Sequence, residues 1–336
     1  MEERIYWIEY LRAIATILVL LLHTSASYLY EINSISNSSW MIGNIIDSFT
    51  RVSVPLFFMI SGYLFFNKKV PKNKNYLRII ASILFYSLIA ILYLKFYLDI
   101  PVLSKIKNIL FQPVFYHLWF LYMIPLIYLV SEIITVRKTK NLRLLMIGVV
   151  LFILVNPGVN DFTSMYGLTF SSLYWFDGTI IYYFLYAWFG ALIGNLPEFK
   201  KRNNLISVLL LLVYFISSII IAKFTQTLST NAGEYIGTFY KYTGVMVAFG
   251  AVSLFLLVKI NFQKLKPLKG ILLWISKLSL PIYGIHAIVL DFIKREGYRN
   301  YERPLVDISL TFIFVLVLSL LVGMGIKAID KKHLVS

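Results

Sequence analysis

The 336-residue chain contains no cysteine. Disulfides, thiolate zinc sites, iron–sulfur clusters and a cysteine nucleophile are thereby excluded, and the redox compartment stays undetermined. Charge is scarce too: 14% of residues are Asp, Glu, Lys or Arg, against roughly 25% in a soluble domain. Acidic residues are the scarcer sign, 16 against 32 basic. Walker, G-x-G-x-x-G and G-x-S-x-G patterns are missing, which removes a nucleotide-driven pump and a nucleophile-elbow hydrolase. No internal repeat, low-complexity tract or long soluble segment interrupts the chain.

What is present is apolar. Hydrophobic residues make up 59% of the chain, and a spanning helix needs about 20 of them in succession. Ten runs are candidates, near residues 5–27, 48–66, 79–98, 117–135, 142–156, 178–195, 204–222, 242–258, 271–293 and 305–326. The fifth stops at Asn156-Pro157-Gly158 and is short for a span. The first has Arg4 before it and Ser25-Ala26-Ser27 at its end, as a signal peptide would, but Glu9 and Arg12 inside it argue for an uncleaved helix. The expectation is an all-α integral membrane protein of about ten transmembrane helices.

The net charge of +16 does not indicate a nucleic-acid partner, because the basic residues fall in short clusters between apolar runs and form no stripe. With the N-terminus inside, 21 Lys and Arg fall in cytoplasmic segments and nine outside, which puts both termini in the cytoplasm. The last outer loop, with Lys294, Arg295, Arg299 and Arg303, runs against that rule. The chain reads as a single membrane domain over 1–336 with no appended soluble domain.

Polar residues inside apolar runs are functional hypotheses, since a mid-bilayer Arg costs about 2.5–3.5 kcal/mol even on insertion scales. Arg12 is the clearest, with Arg51 at the edge of the second run. His23 follows Arg12 by eleven residues; that spacing returns to within about 20° of the same face, roughly 16 Å further along. His117 opens the fourth run and His286 lies in the outer half of the ninth, so three histidines share one depth zone; the fourth, His333, lies in the polar tail. They lack the close pairing of HExxH-type sites, so no metal is expected. A general base fits better, because imidazole titrates near neutral pH. Most of the 24 Tyr, 26 Phe and 6 Trp are explained by interface belts. Trp175-Phe176-Asp177 is a candidate sugar platform beside a carboxylate.

Four segments, in order, resemble the acyltransferase 3 family, polytopic bacterial enzymes that O-acylate surface glycans. Glu9-Tyr10-Leu11-Arg12-Ala13-Ile14-Ala15 with His23 is similar to its L-R-[GA]-I-A start with R-x10-H. Val54-Pro55-Leu56-Phe57-Phe58-Met59-Ile60-Ser61-Gly62-Tyr63-Leu64 resembles F-F-x-x-S-G-[FY]-L, and His117-Leu118-Trp119-Phe120-Leu121 resembles H-L-W-[FY]-L. Tyr283-Gly284-Ile285-His286 matches a late Y-x-x-H.

The resemblance implies an acyl-CoA donor, usually acetyl-CoA, on the cytoplasmic side of a bacterial cell membrane and a glycan hydroxyl on the outer side. His23 is the expected base, Arg12 its partner for the donor arm or for developing charge. Ser61, Lys68, Arg78 and Arg137 are expected at the donor, although helix packing explains Ser61-Gly62 equally and topology alone is the stronger explanation of the basic loops. His117, Trp119, Asp177, Trp175, His286 and Arg51 are expected at the acceptor, and Arg299 and Arg303 on an anionic acceptor. Two departures stand out: some members carry Glu seven residues after the H-L-W histidine, here Ile124, and many append an esterase-like domain. The sequence looks closer to the subgroup acting on biofilm polysaccharide and enterobacterial common antigen. Expected partners are the lipid bilayer, acyl-CoA, a glycan acceptor and a glycosyltransferase of a polysaccharide cluster. A polysaccharide exporter or flippase, or a scaffold of a polysaccharide synthase, is the alternative.

Overall fold

A computed structural model describes residues 4–68, 70–136, 143–197 and 203–336. These residues hold fourteen α-helices and no strand. In chain order they are α1 (Tyr6–Leu29), α2 (Asn37–Thr50), α3 (Ser53–Tyr63), α4 (Asn73–Leu92), α5 (Leu103–Lys107), α6 (Trp119–Ile133) and α7 (Arg143–Leu154). Then come α8 (Gly158–Ser164), α9 (Thr179–Asn195), α10 (Asn203–Ala232), α11 (Val245–Asn261), α12 (Lys269–Lys277), α13 (Ser279–Arg295) and α14 (Pro304–Ile329).

Seven helical segments among the described residues are long and apolar enough to cross a membrane: Tyr6–Leu29, Asn37–Asn67, Asn73–Tyr97, Tyr116–Ile133, Asn204–Ala232, Thr238–Lys277 and Pro304–Ile329. Each of the ten apolar runs is helical, but three do not make a full span by that measure. The fifth run is α7, bent by 69° against α8 at the Asn156-Pro157 break, where proline cannot supply a helical N–H. The sixth is α9, an apolar helix of 17 residues. The ninth is broken at Leu278, so α12 continues from α11 and α13 starts anew at Ser279.

The second run begins earlier than its hydropathy indicates. Ser36 caps α2 by accepting the Ser39 N–H at 3.2 Å, a standard N-terminal stop signal. Asn44, Asp47 and Ser48 are buried on it, which is why an apolar-run reading misses this half of the helix. Leu209, Leu212, Phe215 and Ile219 of α10 and Leu310, Phe314, Val317 and Leu321 of α14 are exposed. Apolar outer faces of that extent match a lipid surround.

The closest pairing is α3 against α9. A Cβ at Gly62 would lie 1.8 Å from the Ala187 carbonyl oxygen, and one at Gly190 would lie 1.9 Å from that of Met59. Only hydrogen at both positions lets the backbones approach this closely. Beyond α3 the chain widens into a π-helical turn, Leu64–Lys68, a feature frequent at functional sites.

Candidate active site

At the end of the bundle near the start of α1, a cavity of about 500 Å³ opens between α1, α3, α4, α6 and α13. Arg12, Ser61 and Arg78 all line it, with Arg4, Glu9 and Lys277. Arg12 donates to the Glu9 carboxylate at 3.2 Å, and Ser276 Oγ donates to the same carboxylate at 2.5 Å. This ties the first turn of α1 to the end of α12, so Arg12 is held by one acidic partner while it faces the cavity. Ser61 follows from the Gly62 packing: with Gly62 against α9, Ser61 turns to the cavity, its hydroxyl donating back to Phe57 O at 3.0 Å. The π turn carries Leu64 and Phe65 into the same wall. Ile124 is there as well, so the wall is aliphatic where some relatives place a Glu.

Further along α1, three imidazoles stand ring to ring. His23 and His286 have centroids 5.1 Å apart, as do His117 and His286. His286 Nδ1 lies 2.7 Å from Tyr283 O and 3.1 Å from Ile282 O, and His117 Nε2 lies 3.2 Å from Gly284 O. Carbonyls only accept, so those nitrogens carry the protons. His286 Nε2 and His117 Nδ1 are then bare lone pairs, both buried without a hydrogen-bond partner. His23 is half-buried and packs edge-on against Tyr116 at 5.5 Å.

Tyr283 joins the two places. It lines the cavity, its ring lies 5.5 Å from His117 and 5.8 Å from His286, and its hydroxyl donates to the His117 carbonyl. Phe120, 5.9 Å from Tyr283, lines the cavity beside it.

Arg51 extends the arrangement. It pairs with Asp47, one turn earlier and fully buried, and lies over the Tyr240 ring at 4.3 Å. Trp119 stacks on Tyr242 at 6.0 Å. Either side of Tyr242, Lys241 and Thr243 line a second cavity of about 320 Å³ with Asp161, Phe176 and Asp177. Lys241 pairs with Asp161 at 3.7 Å.

The profile of the acyltransferase domain matches residues 5–326. The chain belongs to the acyltransferase 3 family. It is an acyltransferase of the multi-pass membrane type, and the matched span covers every helix that builds the two cavities and the histidine group. No curated protein and no solved structure gives a significant match.

Of the residues singled out in the sequence, Arg12, Ser61 and Arg78 meet in the first cavity, and His23, His117 and His286 meet in the group beyond it, while Arg51 packs on Tyr240 and Trp119 on Tyr242. Asp177 stands apart, on the second cavity; Trp175 is half-buried in the turn before it and does not line that cavity. Arg137 and the side chain of Lys68 lie outside the described residues. Among the described residues no group of three His, Cys, Asp or Glu is disposed to hold a metal ion.

Arg299 corrects the sequence reading. It is turned inward, pairing with Asp307 at 2.7 Å and donating to Thr24 O at 3.0 Å, so its charge is neutralised inside the bundle and does not face an anionic acceptor. Tyr283, Asp47 and Glu9 were missed as site residues. The signal for Tyr283 was its i, i+3 spacing from His286, which puts both on one helix face.

Proposed function

We propose that this family member is a bacterial cell-membrane O-acyltransferase. It moves an acyl group, acetyl in this reading, from cytoplasmic acyl-CoA to a hydroxyl of a cell-surface or lipid-linked polysaccharide on the outer side. The observation that carries the proposal is the placement of a cavity bearing Arg4, Arg12, Arg78 and Lys277 on one side of Tyr283 and a buried histidine group on the other. Guanidinium and ammonium groups suit the phosphates of coenzyme A. Imidazoles with free lone pairs suit a hydroxyl.

In this reading the donor's phosphates sit among the basic groups and its thioester reaches past Tyr283 to His23. The roughly 16 Å between Arg12 and His23 along α1 is a span for the extended arm of the donor. The acceptor oxygen attacks the thioester carbonyl while His23 takes its proton; the new C–O bond forms, the C–S bond breaks, and the leaving thiolate takes that proton from His23. Arg51, held by Asp47, offsets the negative charge that develops on the carbonyl oxygen, a preorganised role that often dominates acyl transfer. The second cavity, with Phe176 and Asp177, receives the flanking sugar units.

Purified protein in detergent, given radiolabelled acetyl-CoA and surface polysaccharide, is expected to label the polymer. The exporter and scaffold readings require neither acyl-CoA binding nor label transfer, and absence of both in the wild-type protein would overturn the enzyme reading.

A further inference from the structure

After α14 the chain turns back on itself. Asp330 accepts the main-chain N–H of Leu334 at 3.1 Å, Val335 at 2.8 Å and Ser336 at 2.9 Å. One carboxylate thus closes residues 330–336 into a compact strap. The strap lies on α4, where Arg78, Ser82 and Tyr86, four residues apart, share a face. Tyr86 donates to Val335 O at 2.6 Å and Arg78 Nη2 to Ser336 O at 2.6 Å, while the Ser82 hydroxyl, which donates to Arg78 O at 2.8 Å, lies 3.2 Å from Leu334 O. The strap oxygens that α4 meets are all main-chain, so α4 reads the path of the strap and not its side chains.

Arg78 is the residue that gives this packing a consequence for chemistry. It has five N–H donors, spends one on the strap, and lines the first cavity together with Arg12. An unrestrained arginine at a cavity mouth loses side-chain freedom whenever it engages an anion; one already held loses less, which tightens binding.

We propose that the 330–336 strap is a positioning element for donor binding: it fixes the Arg78 guanidinium in the cavity wall, where it meets the phosphates of acyl-CoA. The inference rests on reading that cavity as the donor site. Asp330, which touches no substrate, acts through Arg78.

The test is equilibrium binding of coenzyme A to full-length protein in detergent, with acetyl-transfer kinetics, for wild type, Asp330→Ala, Tyr86→Phe, Arg78→Ala and the Asp330→Ala/Arg78→Ala pair. Tyr86→Phe keeps the ring and removes one strap bond, so it serves where Asp330→Ala folds poorly. The strap variants are expected to weaken coenzyme A and raise the acyl-CoA KM by up to roughly tenfold, the scale of one hydrogen bond to a charged group. kcat and the glycan KM stay at wild-type values, and Asp330→Ala adds nothing once Arg78 is removed. Wild-type binding that both strap variants leave intact, or that they tighten, overturns the strap proposal alone. A loss that adds fully to that of Arg78→Ala also overturns it. A wild-type protein that does not bind coenzyme A overturns the donor reading itself.

Discussion

His117 and His286 face each other with ring centroids 5.1 Å apart, each donating one N–H to the main chain of α13 and each keeping its other nitrogen bare and buried. A buried acceptor without a donor is costly, and here two of them adjoin the half-buried His23. In the proposed reading a substrate hydroxyl supplies a missing donor. His286→Ala is therefore expected to lower kcat about fivefold, the scale of one neutral hydrogen bond of about 1 kcal/mol, with coenzyme A affinity unchanged. An equal loss of donor affinity would contradict the assignment of the histidines to the acceptor side.

Tyr283 is predicted to couple the two sides. Tyr283→Phe removes the hydroxyl that donates to the His117 carbonyl but keeps the ring in the cavity wall. A net hydrogen bond contributes about 1 kcal/mol, so kcat is expected to fall about fivefold with little change in melting temperature. Unaltered kcat would show that His117 needs no such tether.

Gly62→Ala tests the α3–α9 contact. The added methyl collides with backbone at 1.8 Å, which no rotamer change relieves, and overpacking of this kind costs about 1–3 kcal/mol. A lower melting temperature in detergent is expected. A neutral outcome would mean that α3 and α9 can separate without loss.

Asp307→Asn breaks the buried pair with Arg299, whose side chains are each 2% exposed, and also weakens the acceptor of the Tyr28 hydroxyl at 2.8 Å. Breaking one partner of a buried pair costs about 3–5 kcal/mol. The variant should unfold earlier while surviving folded molecules keep their acceptor KM; a selective rise in acceptor KM would restore Arg299 to the acceptor site.

The strap also makes a pH prediction. Partial burial pushes the Asp330 carboxyl up, but the N–H groups of Val335, Leu334 and Ser336 outweigh it and hold the group below the usual carboxylate range. A depressed folded value contributes stability that is present above the unfolded value near 3.9 and lost as pH falls through the lower folded one. Coenzyme A affinity attributable to Asp330 should be flat from neutral pH down to about pH 4. A fall between pH 7 and 5 in wild type but not in Asp330→Ala would contradict it.

The helical nature of all ten runs and the meeting of His23, His117 and His286 were legible because membrane helices obey length and 3.6-residue periodicity. The polar half of Asn37–Asn67 was hidden because Asn44, Asp47 and Ser48 turn inward, where hydropathy counts against a helix but Asn44 and Ser48 are hydrogen-bonded and Asp47 pairs with Arg51. The break at Leu278 was hidden because apolar residues continue through it. Arg299 was misread because a charge census records sign and side but not partners; Asp307, eight residues on, lies within an otherwise apolar run. The strap leaves no pattern in sequence, since α4 binds its main-chain oxygens.

The central claim, that His23 performs the transfer while the first cavity holds the donor, is tested most directly by label transfer from acetyl-CoA to the glycan alongside coenzyme A binding in His23→Ala. General-base catalysis contributes about 10²–10⁴-fold, so transfer should fall by at least about a hundredfold with coenzyme A affinity at its wild-type value. Transfer that survives in His23→Ala would contradict the account.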